Sequence, residues 1–219
     1  MGLIRYIKKE AAVIRERDPA IKSTMEVILY PSFKAILAYR LAHRWYLKKH
    51  YFWARWLSQK MVRKTGIEIH PGAEIGEGLF IDHGSGVIIG ETAVIGDNVT
   101  LFQGVTLGGT GKEKGKRHPT VEDNVMISAG AKVLGSFTIG SNSKIGAGSV
   151  VLKPVPPNST VVGVPGRIVK RDNVKIPRSE MDQVHLPDPV LDSINQLQIE
   201  NEMLKRQVEE LRKAIEKEW

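Results

Sequence analysis

Between residues 69 and 151 an aliphatic residue recurs at every sixth position. The series runs Ile69, Ile75, Ile81, then Ile89, Ile95, Leu101, Leu107, then Val121, Ile127, Val133, Ile139, Ile145 and Val151. Four residues after most of them stands a small or branched residue: Ala73, Ala93, Val99, Val105, Val125, Ala131, Ser143 and Ser149. Neither the 3.6-residue period of a helix nor the two-residue period of a half-buried strand explains this spacing. A triangular prism does. Six residues make one flat side, the aliphatic residue points inward, and the small residue fits the crowded corner. Three sides make a coil of eighteen residues, and stacked coils pair their backbones as parallel sheet. Hexapeptide repeats of this kind build left-handed β-helices, an exception to the right-handed rule for parallel crossovers. The period breaks twice. The step from Ile81 to Ile89 is eight residues, through DHGSGV, and the step from Leu107 to Val121 is fourteen, through GGTGKEKGKRHP. The second segment is too polar and too glycine-rich for a prism interior and reads as an excursion loop. Departures from a regular repeat are where sites are grafted.

The flanks are of another kind. Twenty of the 21 glycines lie between Gly66 and Gly166, which leaves residues 1–65 and 167–219 almost free of them. Residues 1–65 read as a helical domain, with Ser32 capping a helix through FKAILAYRLAHRWYLKK and Asp18-Pro19 opening another. On the former helix Ala35, Tyr39, Ala42 and Tyr46 fall near one face. Residues 66–169 form the β-helix, 170–187 a Pro-punctuated linker, and 188–219 a helical tail. In the tail Val190, Ile194, Leu197, Asn201, Leu204, Val208, Leu211 and Ile215 alternate by four and three, the seam of a coiled coil. The fold class is therefore α+β: N-terminal helices, a left-handed parallel β-helix and a coiled-coil tail. A single seam Asn with Leu and branched partners favours two strands in isolation. The hexapeptide prism favours three, and three tails leaving one axis meet at high effective concentration.

Charge is unevenly placed. Residues 1–65 carry 15 Lys and Arg against 4 Asp and Glu, whereas the remainder carries 17 against 20. No zinc finger, recognition helix or aromatic-basic sheet motif accompanies the basic block, so nucleic acid is not an expected partner. No apolar run is long enough to span a membrane, and the N-terminus lacks the apolar core of a signal peptide. There is no cysteine, which rules out disulfides and thiolate chemistry and leaves the cytoplasm as the expected compartment.

The segments FIDHGSGVIIGE, VTLGGTGKEKGKRHP, SAGAKVLG and KIGAGSVVLKPVPP, with RERDPA and FKAILAYRLAH before them, resemble the serine O-acetyltransferase family closely and in order. The resemblance covers roughly residues 10–170. The repeat alone leaves the acceptor open, and a sugar or antibiotic hydroxyl would suit the same superfamily. The DHG, GGTGK and RHP combination with the helical RDPA segment points to serine. Membership implies acetyl transfer from acetyl-CoA to L-serine as the first step of cysteine biosynthesis, feedback inhibition by L-cysteine, and no metal. It implies a homotrimer, with a dimer of trimers as the second choice. Family members that bind the next enzyme, a sulfhydrylase, do so through a C-terminal isoleucine. This chain ends EKEW, so no complex by that route is expected.

Transfer to a hydroxyl needs a base, donors for the tetrahedral oxyanion and a pocket for a zwitterion. His83, in the eight-residue step, is the expected base and matches the family's catalytic histidine. Glu68, fifteen residues earlier and so nearly one coil back, is expected to orient it, although many relatives carry Asp there. His118 is expected beside the reacting groups. The resemblance assigns Arg117 and His118 to the serine carboxylate, Asp18 and Asp82 to its ammonium, and the Arg117 guanidinium suits a carboxylate. For CoA it points to Gly108, Gly109 and Ala129 along the pantetheine arm and to Lys144 and Ala147 toward the nucleotide. The Gly109 N–H is a candidate oxyanion donor. His43, His50, His70 and His185 carry no such expectation.

Overall fold

The computed structural model describes residues 3–111, 114–171 and 197–208. It divides into two compact units, Met1–Leu186 and Pro187–Trp219. The helices and the prism share the first unit. Three α-helices open it: α1 (Leu3–Arg17), α2 (Pro31–Leu47) and α3 (Tyr51–Thr65), with a 3-10 turn at Thr24–Leu29.

Two helix starts differ from expectation. Pro31, not Ser32, opens α2, with Tyr30 at the cap and no side-chain cap bond. Proline suits the first helical position because its φ is preset and it lacks an N–H that would go unpaired. Ser32 is thereby drawn into the first turn and buried. Asp18-Pro19 does not start a helix; it ends α1. The Asp18 N–H donates to the Ile14 carbonyl, and its carboxylate accepts from the Ala20 N–H at 2.8 Å, an Asx turn rather than a cap. At the end of α3 Gly66 takes the left-handed conformation, φ 71°, and closes the helix onto the Val62 carbonyl.

The prism then runs through fifteen short strands among the described residues. Face A holds β1 (Glu68–Ile69), β4 (Ile88–Ile89), β7 (Thr106–Gly108), β10 (Lys132–Leu134) and β13 (Val150–Val151). Face B holds β2 (Glu74–Ile75), β5 (Val94–Ile95), β8 (Thr120–Val121) and β11 (Thr138–Ile139). Face C holds β3 (Phe80–Ile81), β6 (Thr100–Leu101), β9 (Met126–Ile127), β12 (Lys144–Ile145), β14 (Ser159–Val162) and β15 (Arg167–Arg171). All pairs are parallel save β14 with β15. Because β15 includes Lys170 and Arg171, the first two residues of the expected linker belong to the sheet.

Register follows the six-residue period. Leu107 pairs with Ile89 and Ile145 with Ile127, eighteen residues apart, whereas Ile69 pairs with Ile89 and Val121 with Ile95 across the two interruptions. The aliphatic positions are buried throughout, from Ile75 at 7% exposure to Leu107 at 0%. Burying such a side chain contributes roughly 1.5–3 kcal/mol, and thirteen in one column make the prism its own core. Helix α2 seals the open end. The Tyr39 hydroxyl donates to the Ala73 carbonyl at 2.6 Å and Arg40 to the carbonyls of Ile75 and Gly76.

Residues 197–208 are helical. Within them the seam residues Leu197, Leu204 and Val208 stand 64%, 60% and 56% exposed. Asn201, in the same helix, is exposed as well. The seam positions 190, 194, 211 and 215, residues 172–196 and the EKEW terminus lie outside the described residues. No described helix is long and apolar enough to cross a membrane.

Candidate active site

The first interruption lies where the chain turns from face C to face A. Two residues more than a regular turn push Asp82, His83, Gly84 and Ser85 outward. His83 adopts φ 48°, a left-handed conformation that costs a side-chain-bearing residue roughly 1–3 kcal/mol. Its side chain is 81% exposed. Gly84 has no alternative, because a Cβ there would lie 2.4 Å from Ile67 Cδ1. Together with Asp18, Tyr30, Ser32 and Thr65 these residues line a cleft of about 510 Å³.

The cleft is acidic. The Tyr30 hydroxyl donates to Asp18 Oδ2; burial and that bond push its pKa up to about 12. Burial also raises the Asp82 carboxyl, and the nearby Asp18 charge pushes the same way, while His83 opposes them. Two carboxylates facing one cleft favour a cationic guest. Glu68, expected behind His83, lies beside a cation in the single chain. Its Oε1 lies 3.6 Å from Arg55 Nη2 on α3, and no hydrogen bond joins it to the imidazole. The carboxylate beside His83 is Asp82, with Oδ1 3.7 Å from Nε2. Helix α3 packs against β1 and brings the Arg55 guanidinium to the Glu68 carboxylate.

The second interruption, between β7 and β8, spans the turn from face A to face B, so Arg117 and His118 stand on a different corner from His83. Arg117 Nη2 donates to Glu91 Oε2, whose Oε1 accepts from the Tyr46 hydroxyl at 2.9 Å. These donors hold the Glu91 carboxyl below the usual carboxylate range, the Arg117 bond first. His118 is 9% exposed, and its ring occupies the space above Gly90, where a Cβ would lie 2.0 Å from Cδ2. Burial lowers its pKa, as does Arg117. Sequence reasoning missed Tyr30, Tyr46, Glu91 and Thr92. The last two occupy ordinary repeat positions and give no signal, and the tyrosines sit on the helical side of contacts that only folding makes.

The residues expected to hold CoA divide likewise. Gly108 and Gly109 share the A/B corner with Arg117, and the Gly109 N–H donates to no group among the described residues. Ala129 and Ala147 lie on the C/A corner below His83, with Lys144 on β12 beside it. Gly130 and Gly148 there have φ 70° and 66°, yet a Cβ on either would meet nothing within 4 Å. Crowding within the chain is not what a side chain would violate there. The expected site residues of one chain thus divide between two corners of the prism.

Residues 118–153 match the bacterial transferase hexapeptide family (six repeats), and the prism is that of a hexapeptide-repeat transferase. The serine acetyltransferase of Bacillus licheniformis is 56% identical over 205 residues, covering 93% of this chain and 94% of that one. A serine acetyltransferase solved in complex with cysteine superimposes with a TM-score of 0.79 at 44% identity, covering 84% of this chain and 72% of that chain. Another from Brucella abortus, in complex with coenzyme A, gives 0.74 at 46%, covering 78% and 68%. The chain belongs to the serine acetyltransferase family.

Proposed function

We propose that this chain transfers the acetyl group of acetyl-CoA to the hydroxyl of L-serine, in the cytoplasm, and that L-cysteine inhibits it by occupying the serine site. The acidic cleft around His83 carries this reading. Asp18 and Asp82 suit an ammonium, and the outward imidazole lies beside them. His83 takes the hydroxyl proton as the serine oxygen attacks the thioester carbonyl. The Gly109 N–H stabilises the oxyanion. When the tetrahedral adduct collapses, the C–S bond breaks and the imidazolium returns its proton to the departing CoA thiolate. Without a cysteine to carry an acyl group, transfer is direct. Asp82, with Oδ1 3.7 Å from the His83 ring, is the proposed carboxylate partner of the imidazole alongside Glu68.

A homotrimer unites the two corners. Side by side around a three-fold axis, the C/A corner of one protomer faces the A/B corner of the next. Arg117, His118 and Gly109 of the neighbour then complete the cleft of His83. The CoA arm runs between protomers along Ala129 and Ala147, where bare glycine backbone admits a close approach. The relatives bound to cysteine and coenzyme A support both ligands. The test is His83→Ala. It should lower kcat by roughly 10²- to 10⁴-fold while circular dichroism stays unchanged. Near-normal thiol release from acetyl-CoA and serine would remove His83 from the role.

A further inference from the structure

The corner beneath Arg117 and His118 is organised around one side chain, Thr92. Its Oγ1 accepts from the backbone N–H of Arg117 at 3.0 Å and from that of His118 at 3.1 Å. Both lone pairs of the hydroxyl are therefore committed. The same oxygen lies 2.9 Å from His118 Nδ1, so that bond runs from the hydroxyl proton to the ring nitrogen. The Thr92 backbone N–H reaches the same Nδ1 at 3.1 Å, and an N–H can only donate. Two donors facing one nitrogen leave no place for a proton on it. A neutral imidazole with a bare Nδ1 carries its proton on Nε2.

We infer that Thr92 is a positioning residue: it anchors the Arg117–His118 peptide and holds His118 as the neutral Nε2–H tautomer, a fixed hydrogen-bond donor for the substrate carboxylate. His118 is then neither a base nor a cation. The surroundings agree. Arg117 and Lys116, whose Nζ donates to the Thr92 carbonyl at 2.7 Å, both disfavour an imidazolium, and Glu91, the one opposing charge, is occupied by Arg117 and Tyr46. The ring lies against Gly90, which limits its rotation. Among the described residues Nε2 has no partner, and a carboxylate would supply one. A donor that needs no protonation binds a carboxylate equally across the neutral range, whereas a histidinium would lose its grip as pH rises.

This inference rests on the reading of His118 as a serine contact, and its test separates the two. Full-length protein labelled with 15N-histidine is examined at neutral pH without substrates, with His118→Gln assigning the resonance. Wild type should show His118 bare at Nδ1 and protonated at Nε2. Thr92→Val should move the Nδ1 resonance toward that of a nitrogen with fewer donors. It should also raise the serine KM by about 3- to 10-fold with kcat little changed, as for one lost hydrogen bond. Thr92→Ser should restore both. A wild-type proton on Nδ1, or a Thr92→Val spectrum identical to wild type, would overturn the assignment to Thr92 whatever the kinetics. A shifted spectrum with an unchanged serine KM would leave Thr92 as the anchor and overturn the contact between His118 and serine.

Discussion

Gly90 shows how one missing atom makes room for another side chain. Its backbone is unexceptional, with no positive φ, so its conformation does not demand glycine. The His118 ring does, because it stands where the Cβ would be. Gly90→Ala should therefore displace His118 and raise the serine KM about tenfold or more, with the acetyl-CoA KM less affected; steady-state kinetics with each substrate varied would measure it. His70 lies nearby and is under different control. Its Nδ1 accepts from the Gly72 N–H at 3.0 Å. Burial, aided by the Arg55 charge, lowers its pKa from 6.5 to about 4. Between those values the unfolded chain binds a proton that the native chain refuses, so stability falls as pH drops from about 6.5 toward 4 and levels off below. Thermal melts across that window should show a shallower fall for His70→Gln. A slope unchanged by the substitution would clear His70 of the effect.

At the scale of elements the three corners are built differently. Where face B turns to face C, Asn98, Asn124, Asn142 and Asn158 all adopt φ of 56–60°. Asn124 Nδ2 donates to Asn142 Oδ1 at 3.4 Å, and Asn142 Nδ2 to Asn158 Oδ1 at 3.2 Å. Asparagine tolerates the left-handed region, and its amides here tie successive coils together. Asn142→Ala should cost about 1–3 kcal/mol through strain and lost bonds, and Asn142→Gly less, by denaturant unfolding. The turn from C to A uses glycine at the same conformational position, at Gly86, Gly104, Gly130 and Gly148, and bears His83. The aliphatic column was legible because one inward residue per six is all that a prism side needs. The asparagine column was not, since it stabilises coils through bonds that periodicity in hydrophobicity does not record. Ser32 and Asp18 misled for a related reason. Cap residues serve turns as well as helices, and the neighbouring chain decides which.

For the whole molecule the decisive fact is that His83 and His118 stand on separate corners of one prism. If each site is shared, two impaired variants should complement at serine concentrations below the KM. Co-expressed His83→Ala and His118→Ala chains form mixed trimers with one intact site each, by symmetry. Under those conditions thiol release should be higher in the mixed species than in either parent. No recovery in verified mixed trimers would mean that each chain catalyses alone. Light scattering on the intact chain should give a trimer, with the exposed seam of residues 197–208 covered by its copies.

The amino-acid order alone determined the prism, its two faults and the histidines placed in them. Those features are periodic or break a period, so each is readable without knowing what lies across the fold. Tertiary structure decided which carboxylate attends which donor. Glu68 went to Arg55, Glu91 to Arg117 and Tyr46, and Asp18 to Tyr30. Such pairings depend on where packed helices set their side chains, over distances to which hydrophobic spacing is blind. A carboxylate binds the first donor that packing presents to it, and sequence separation does not measure that.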